Sequence, residues 1–280
     1  MKVFNTINSL QSFLSKIDKN IKIGFVPTMG ALHNGHLSLL SKASSENEIT
    51  VVSIFVNPTQ FDKKEDLDKY PQTLQEDLKM LELEKCDVVF VPSVKEMYQS
   101  ELKPQNFEFG GLENVMEGAF RKGHFDGVGT IVKKLLEIVN PTNAYFGEKD
   151  FQQLQIIKKM VEIENMKVNI IGCEIFREDD GLAMSSRNSR LSKEQREAAP
   201  LIYQTLLKTQ KLFPEKDIES VKNMVKNTFE NHLILKLEYF DIADTETLIS
   251  SCKKENDKKY RGFIAVYADT IRLIDNIALN

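Results

Sequence analysis

The sequence predicts an α/β protein, in which a parallel sheet with helices on both faces precedes a smaller α+β domain. Short apolar runs rich in β-branched residues alternate with stretches of helical periodicity as far as residue 176. Runs that are apolar throughout are typical of strands buried on both faces, as in parallel sheets. Beyond residue 176 a polar loop leads to helices and then to longer strands. We therefore predict domains at 1–176 and 177–280.

The elements of the first domain follow from these patterns. Strands are predicted at 21–26, 49–56, 87–91, 143–147 and 167–176. Apolar residues at helical spacing predict helices over 35–45 and 126–140 and around Leu154, Ile157 and Val161. A further helix containing Leu74, Leu78 and Leu81 is expected to begin near Pro71, since proline suits a first helical turn.

The second domain is predicted to start with a helix at Ser192, because Ser192 and Gln195 have the spacing of a capping box. Another helix is predicted at 217–232, where apolar residues recur on one face. Two strand-like runs follow at 235–244 and 261–274, joined by the charged segment 252–261, which we expect to be solvated.

Composition and charge argue against several classes of protein. The chain has 280 residues and a net charge of −4, whereas a general nucleic-acid binder is usually basic. Its three cysteines are far apart, which favours a reducing compartment and hence a cytoplasmic location. The N-terminus lacks a signal-peptide core, and the sequence has no run of about 18 apolar residues, so we expect no membrane span.

Two of the four histidines, His33 and His36, lie in "PTMGALHNGH" (27–36), between the first predicted strand and helix. A helix N-terminus offers unpaired N–H groups and partial positive charge, which together attract phosphate. Gly30 and Gly35 would allow close backbone approach. The alternative is an ordinary helix start, with Asn34 as the cap and the histidines solvated. Zinc is disfavoured because no third ligand has suitable spacing nearby.

Three other polar clusters are candidates for binding. Lys149 in "GEKD" (147–150) follows a predicted strand and could reach phosphate oxygens, although such a cluster can also be plain surface charge. Asn57 and Gln60 in "FVNPTQF" suit a small hydroxy acid, although Asn-Pro also makes ordinary turns. "MSSR" (184–187) suits a triphosphate clamp or a polar linker.

Taken together, the motifs resemble those of a known enzyme family. "HNGH" resembles the HIGH-type motif of the nucleotidylyltransferase superfamily, and "AMSSR" resembles that superfamily's second motif. "PTMGALHNGH", "SIFVNPTQF", "GHFDGVGTIV", "FGEKDFQQL", "REDDGLAMSSRN" and "RLIDN" occur in order over residues 27–276. This set strongly resembles the pantothenate synthetase family.

The resemblance implies an activity and an architecture. The family joins pantoate to β-alanine using ATP, through an enzyme-bound pantoyl adenylate. Mg²⁺ is also expected, because it pairs with triphosphate and usually has few protein ligands. The resemblance implies a Rossmann-like N-terminal domain, a smaller C-terminal lid domain and a homodimer. No nucleic-acid or membrane partner is expected.

The resemblance also implies roles for individual residues. His36, His33 and Lys149 would be catalytic, with the most direct leaving-group or acid/base role at His36. The residues expected to bind ATP are Met29, Gly30, Ala31, Leu32, His33, Asn34, Gly35, His36, Gly147, Glu148, Lys149, Asp150, Phe176, Met184, Ser185, Ser186 and Arg187. Those expected to bind pantoate or β-alanine are Gln60, Gln153, Asn57, Met29 and Arg121.

Several of these residues have other interpretations. Gln153 could be a capping-box partner of Asp150, and Met29 could be ordinary core. His124 could line the site and Glu76 could approach Mg²⁺, while the protein ligands of the metal stay unassigned. Asp179 stands where the family commonly has proline, and the segment 262–276 is more divergent.

Two other functions compete with this interpretation: another adenylate-forming or nucleotidyl-transferring enzyme of the superfamily, and a nucleotide-sensing module without turnover.

Overall fold

The computed structural model describes residues 1–62, 64–98 and 102–280, which form two β-sheets and the helices around them. The strands are β1 Lys2–Phe4, β2 Ile23–Thr28, β3 Ile49–Ile54, β4 Val88–Phe90, β5 Asn143–Gly147, β6 Asn169–Cys173, β7 Leu235–Asp244, β8 Tyr260–Ala268 and β9 Ile271–Ala278. The helices are α1 Ile7–Leu14, α2 Asn34–Glu46, α3 Lys64–Asp68, α4 Leu74–Leu83, α5 Val94–Met97, α6 Met116–Phe120, α7 His124–Val139, α8 Phe151–Ile163, α9 Lys193–Ala198, α10 Leu201–Leu212 and α11 Ile218–Glu230.

The first sheet is parallel and has the strand order β1-β4-β3-β2-β5-β6. From β2 the chain proceeds outward through β3 and β4, and it later returns to the other side of β2 to form β5 and β6. The order therefore reverses between β2 and β5. In open α/β sheets such a reversal leaves a crevice at the carboxyl ends of the strands, where ligands bind.

The core of this sheet is apolar because its central strands are buried on both faces. Phe25, Val51 and Val89 are fully buried, and Leu40 and Leu81 pack from helices α2 and α4. Burial on this scale is the main favourable contribution to the stability of the sheet.

The second sheet is antiparallel, with the order β7-β8-β9. Helices α10 and α11 cover it, and their buried residues, such as Leu206, Val225 and Phe229, share a core with Ile264 and Val266 of β8. Helix α11 begins where the side chain of Asp217 accepts the N–H of Ser220, a typical N-cap.

The chain divides into two compact units. The first consists of residues 1–113, 117–148 and 153–174, and the second of 114–116, 149–152 and 175–280. Lys149 to Gln152 thus belong to the second unit, although Lys149 and Asp150 follow β5 and Phe151 and Gln152 begin α8.

The predicted fold class is confirmed, but some of the predicted bounds and caps were wrong, and the strand predicted at 167–176 covers only Asn169–Cys173. Helix α4 begins at Leu74, three residues after Pro71, because Thr73 takes the N-cap position and its hydroxyl contacts Asp77 at 3.1 Å. The run 261–274 is two strands, since Asp269 adopts a positive φ of 56° and turns the chain into a hairpin. His33, and not Asn34, takes the N-cap position of α2.

Some elements were not predicted at all, notably β1, α1 and α10. Pro200 separates α9 from α10, so the helix that the capping box starts at Ser192 is only one turn and a half long. Both hydrogen bonds of that capping box are present. Among the described residues, no helix combines the length and the apolar character that a membrane span requires.

Candidate active site

The loop between β2 and α2 places two successive residues in the left-handed region, which glycine adopts readily and alanine does not. Gly30 has φ 78° and Ala31 has φ 50°, and for a residue with a Cβ the left-handed region costs about 1 kcal/mol or more. Three hydrogen bonds to Asp77 stabilise the loop and its surroundings. Its carboxylate accepts the N–H of Ala31 at 3.0 Å, the N–H of Leu32 at 2.8 Å and the hydroxyl of Thr73 at 3.1 Å.

Asp77 was missed by the sequence analysis, which considered its neighbour Glu76. Asp77 is 2% exposed, whereas Glu76 is exposed on the first turn of α4. One signal could have found it: Asp77 is four residues before the buried Leu81, so both lie on the same face of the helix. A carboxylate on the apolar face of a helix needs partners, and here they are backbone N–H groups.

The loop delivers two histidines to the start of α2. His33 occupies the N-cap position, and its carbonyl accepts the N–H groups of His36 at 2.8 Å and Leu37 at 3.1 Å. The imidazole rings of His33 and His36 lie side by side, with centroids 4.1 Å apart. Both residues are partly exposed, as are Met29 and Gly35. Two ring donors beside a helix N-terminus form an arrangement that can bind phosphate oxygens.

Asn57 is buried after β3 and is surrounded by hydrogen-bonding partners. Its side-chain N–H groups donate to Gln60 Oε1 and to the carbonyl of Gly127, each at 3.1 Å. Its oxygen accepts from the hydroxyls of Tyr98 at 2.6 Å and Thr59 at 3.1 Å. Burial raises the pKa of Tyr98, so the phenol keeps the proton that it donates. These contacts make Asn57 a residue that orients the side chain of Gln60.

Gln60 ends a 3₁₀ turn and is tied down at both its side chain and its backbone. Its Nε2 donates to Met29 Sδ at 3.1 Å, which brings two predicted substrate contacts together. Its carbonyl accepts from His124 Nδ1 at 2.8 Å and lies 3.4 Å from Arg121. Because a carbonyl can only accept, His124 carries its proton on Nδ1, and Nε2 can accept from Arg121 at 3.2 Å. Arg121 also pairs with Asp62 at 3.3 Å.

Three further candidate residues of the first unit lie at the end of strand β5 or soon after it in the chain. Gly147 ends the strand, Glu148 starts a 3₁₀ turn, and Gln153 is partly buried in the first turn of α8.

Lys149 and Asp150 belong to the second unit and form an ion pair, with Lys149 Nζ 3.5 Å from the Asp150 carboxylate. The carbonyl of Lys149 accepts from the side chain of Asn276 at 2.8 Å. The Lys149 side chain is 19% exposed, so most of its surface is packed.

The segment 176–190 forms a tight turn followed by a 3₁₀ turn. Met184 N–H donates to the carbonyl of Phe176 at 3.0 Å, and Phe176 itself is 40% exposed. Ser185 caps the 3₁₀ turn Ser186–Arg190, accepting the N–H of Arg187 at 3.3 Å. Asp179 lies exposed in the preceding turn.

Arg196 anchors this turn. Its guanidinium pairs with Glu178 at 2.6 Å and Asp180 at 2.5 Å, and it holds the pKa of the Asp180 carboxyl below its usual range.

Within the described ranges, no group of three or more His, Cys, Asp or Glu side chains could hold a metal ion. The described part of the chain therefore has no divalent-cation site built from three or more of these side chains.

Known proteins match this chain along its whole length. The family model described as "Pantoate-beta-alanine ligase" matches residues 2–278. A pantothenate synthetase of Christiangramia forsetii is 55% identical over 282 residues, and one of Flavobacterium psychrophilum is 50% identical over 281; each alignment covers 100% of both chains.

Solved structures agree with these matches. Pantothenate synthetase from Thermus thermophilus superposes with a TM-score of 0.92 at 37% identity, covering 100% of this chain and 99% of that one. The pantoate-β-alanine ligase from Francisella tularensis, complexed with "Beta-gamma ATP" and β-alanine, has a TM-score of 0.82 at 39% identity and covers 100% and 98%. The chain belongs to the pantoate-β-alanine ligase family.

Proposed function

We propose that the protein is an ATP-dependent ligase that joins pantoate to β-alanine and so makes pantothenate, with release of AMP and pyrophosphate. The match of residues 2–278 to the family carries this conclusion. ATP is a substrate, in keeping with the Francisella tularensis relative that was solved with an ATP analogue and β-alanine.

The reaction is proposed to run in two steps. First, a carboxylate oxygen of pantoate attacks the α-phosphorus of ATP, and the bond to the β-phosphate oxygen breaks to release pyrophosphate. The amine of β-alanine then attacks the acyl carbon of the adenylate, forms the amide bond, loses a proton and releases AMP. Because negative charge grows on the leaving pyrophosphate, fixed donors and cations stabilise this transition state.

We assign the phosphate contacts to residues with the right chemistry. His33 and His36 would donate ring N–H groups from the helix N-terminus, with His36 acting most directly on the leaving group. Lys149 would supply a compact charge, and Ser185, Ser186 and Arg187 would supply hydroxyls and a guanidinium. The remaining contacts to ATP are proposed for residues 29–35 and for Gly147, Glu148, Asp150, Phe176 and Met184.

Pantoate is proposed to bind Gln60 and Gln153, whose amides can both donate and accept. Met29 would contact its methyl groups, since its sulfur already touches the Gln60 amide. Arg121 and Asn57 are proposed to support this subsite, and the hydrogen bonds of both lead to Gln60.

The metal and the assembly are part of the same proposal. Mg²⁺ would enter as the Mg²⁺ complex of ATP, because Mg²⁺ pairs with triphosphate and usually has few protein ligands. We also propose a homodimer, a cytoplasmic location and a domain boundary between residues 176 and 177.

Pyrophosphate exchange tests the reaction order. With Mg²⁺-ATP and pantoate but no β-alanine, the protein should exchange labelled pyrophosphate into ATP. Adding β-alanine should then yield AMP and pantothenate in equal amounts. Exchange that ignores pantoate but responds to another carboxylic acid would indicate another adenylate-forming activity. ATP binding without exchange or product, whichever acid is supplied, would indicate a nucleotide sensor.

A further inference from the structure

Strand β9 carries two polar residues that the proposed reaction leaves without a role. Asp275 and Asn276, the end of the "RLIDN" motif, are only 4% and 1% exposed. Burying a carboxylate and an amide is costly unless both are hydrogen-bonded, so their partners indicate what the pair is for.

Asn276 connects β9 directly to the backbone of Lys149. Its Nδ2 donates to the Lys149 carbonyl at 2.8 Å, although the two residues are 127 positions apart in the chain. Its Oδ1 accepts from Arg261, and the guanidinium of Arg261 lies 4.1 Å from the ring centroid of Phe151. A single β9 side chain therefore fixes Lys149 and, through Arg261, the residue two positions beyond it.

Asp275 makes the equivalent connection to the turn that precedes Ser185. Its two oxygens accept from the Arg177 guanidinium at 2.6 and 3.0 Å, and Arg177 also donates to the carbonyl of Gly181 at 3.1 Å. The Arg177 guanidinium stacks 3.7 Å from the ring centroid of Tyr203. A planar guanidinium with two parallel bonds and a stacked face has little freedom to move.

Lys149 also affects the ionisation of the Asp275 carboxyl. Burial raises the pKa of the Asp275 carboxyl, while Arg177 and the positive charge of Lys149 oppose that rise. All these residues belong to the second compact unit. Asp275 and Asn276 are adjacent, so one short piece of strand holds two segments that both carry proposed phosphate contacts.

We infer that Asp275 and Asn276 are positioning residues for adenylation, with Asn276 acting through Lys149 and Asp275 acting through Arg177 on the 177–187 segment. The inference rests on the proposed function, because Lys149 is a phosphate contact only if that function holds. A lysine side chain reaches its target from a backbone that Asn276 fixes. A misplacement of about 1 Å can reduce a rate by about 100-fold.

The test uses Asn276→Asp, which keeps the shape and the acceptor for Arg261 but sets an oxygen against the Lys149 carbonyl. Asn276→Ala is the second variant. Val266→Ala, in the same sheet but facing Leu273 in register, is the control for general destabilisation. Each change is made in the parent and in Lys149→Ala, and thermal unfolding is recorded for all of them.

Two measurements distinguish a positioning role of Asn276 from a role in stability alone. Asn276→Asp should lower the rate of pantoate-dependent pyrophosphate exchange by about 10- to 100-fold, with the KM for pantoate changed less than about threefold. It should also weaken binding of a non-hydrolysable ATP analogue in the parent, but not in Lys149→Ala, since residues that act as a unit are not additive. Val266→Ala should lower the unfolding temperature and leave both readouts unchanged.

Three results would overturn the inference. Equal weakening of analogue binding by Asn276→Asp in both backgrounds would show that Asn276 does not act through Lys149. If neither Asn276 variant folded, the role of Asn276 would be to stabilise the fold, and the inference would be wrong. If Lys149→Ala kept full exchange, the proposed role of Lys149 and this inference would both be wrong, whereas ligation by the parent would stand.

Discussion

Asp77→Asn is expected to weaken both the fold and the catalysis, because the native carboxylate stabilises the loop that leads to the histidines. In the native protein its two oxygens accept from Ala31, Leu32 and Thr73. An asparagine presents an NH₂ group in place of one oxygen. Whichever way the amide is turned, at least one N–H or O–H donor then faces another donor.

The magnitude follows from these contacts. A buried backbone N–H without an acceptor costs about 1–3 kcal/mol, and hydrogen bonds to a charged acceptor are roughly twice as strong as neutral ones. We therefore expect a loss of about 2–4 kcal/mol in the free energy of unfolding. The left-handed Ala31 loses its support, so the loop should relax and displace His33 and His36. A displacement of about 1 Å would lower the exchange rate by about 100-fold.

Urea unfolding gives the stability, and pyrophosphate exchange gives the rate of adenylation. Glu82→Gln, an exposed change on the same helix, is the control and should stay within about 0.5 kcal/mol of the parent. The reasoning would be refuted if Asp77→Asn unfolded at the same urea concentration as the parent. A destabilised variant with normal exchange would show that Asp77 supports the helix and not the geometry of the histidines.

Four further changes test other parts of the structure. His36→Ala should fold normally by circular dichroism and lose about 10²–10³ in exchange rate, and turnover within a few-fold of the parent would exclude the role. Gln153→Ala should raise the KM for pantoate more than that for ATP, whereas a capping role predicts a loss of about 1 kcal/mol in stability with unchanged kinetics. Gly127→Ala should destabilise the protein in thermal unfolding, because its Cβ would lie 2.3 Å from the carbonyl oxygen of Thr59; an unchanged unfolding temperature would contradict that contact. Burial raises the pKa of Cys86 from 9.0 to about 11, so the unfolded chain loses its proton first and stability falls as pH rises from about 9 to about 11. In urea unfolding at several pH values, Cys86→Ala should not show this fall in stability. The prediction would be refuted if the variant lost as much stability with rising pH as the parent.

The secondary structure was predictable where the chain follows its local pattern. Strands β5 and β7 have the predicted bounds, because both are short runs rich in strand-forming residues that end in turn-forming residues. The hairpin between β8 and β9 was missed because Asp-Thr is not a strong turn signal, and only pairing with the neighbouring strand forces the left-handed Asp269. Strand β1 is three residues long and is specified by its parallel partner β4, which no local pattern reveals.

The sequence by itself determined the family, the parallel sheet and the ordered motifs that carry His33, His36 and Lys149, because these depend on local periodicity and on residue identity. Only the tertiary structure decided which side chains support those motifs. Asp77 is 45 positions or more from the N–H groups that it accepts, and Asn276 is 127 positions from Lys149. Such partners have no fixed spacing in the sequence, because hydrogen bonds between distant segments are set by the packing of sheets and helices that brings the segments together.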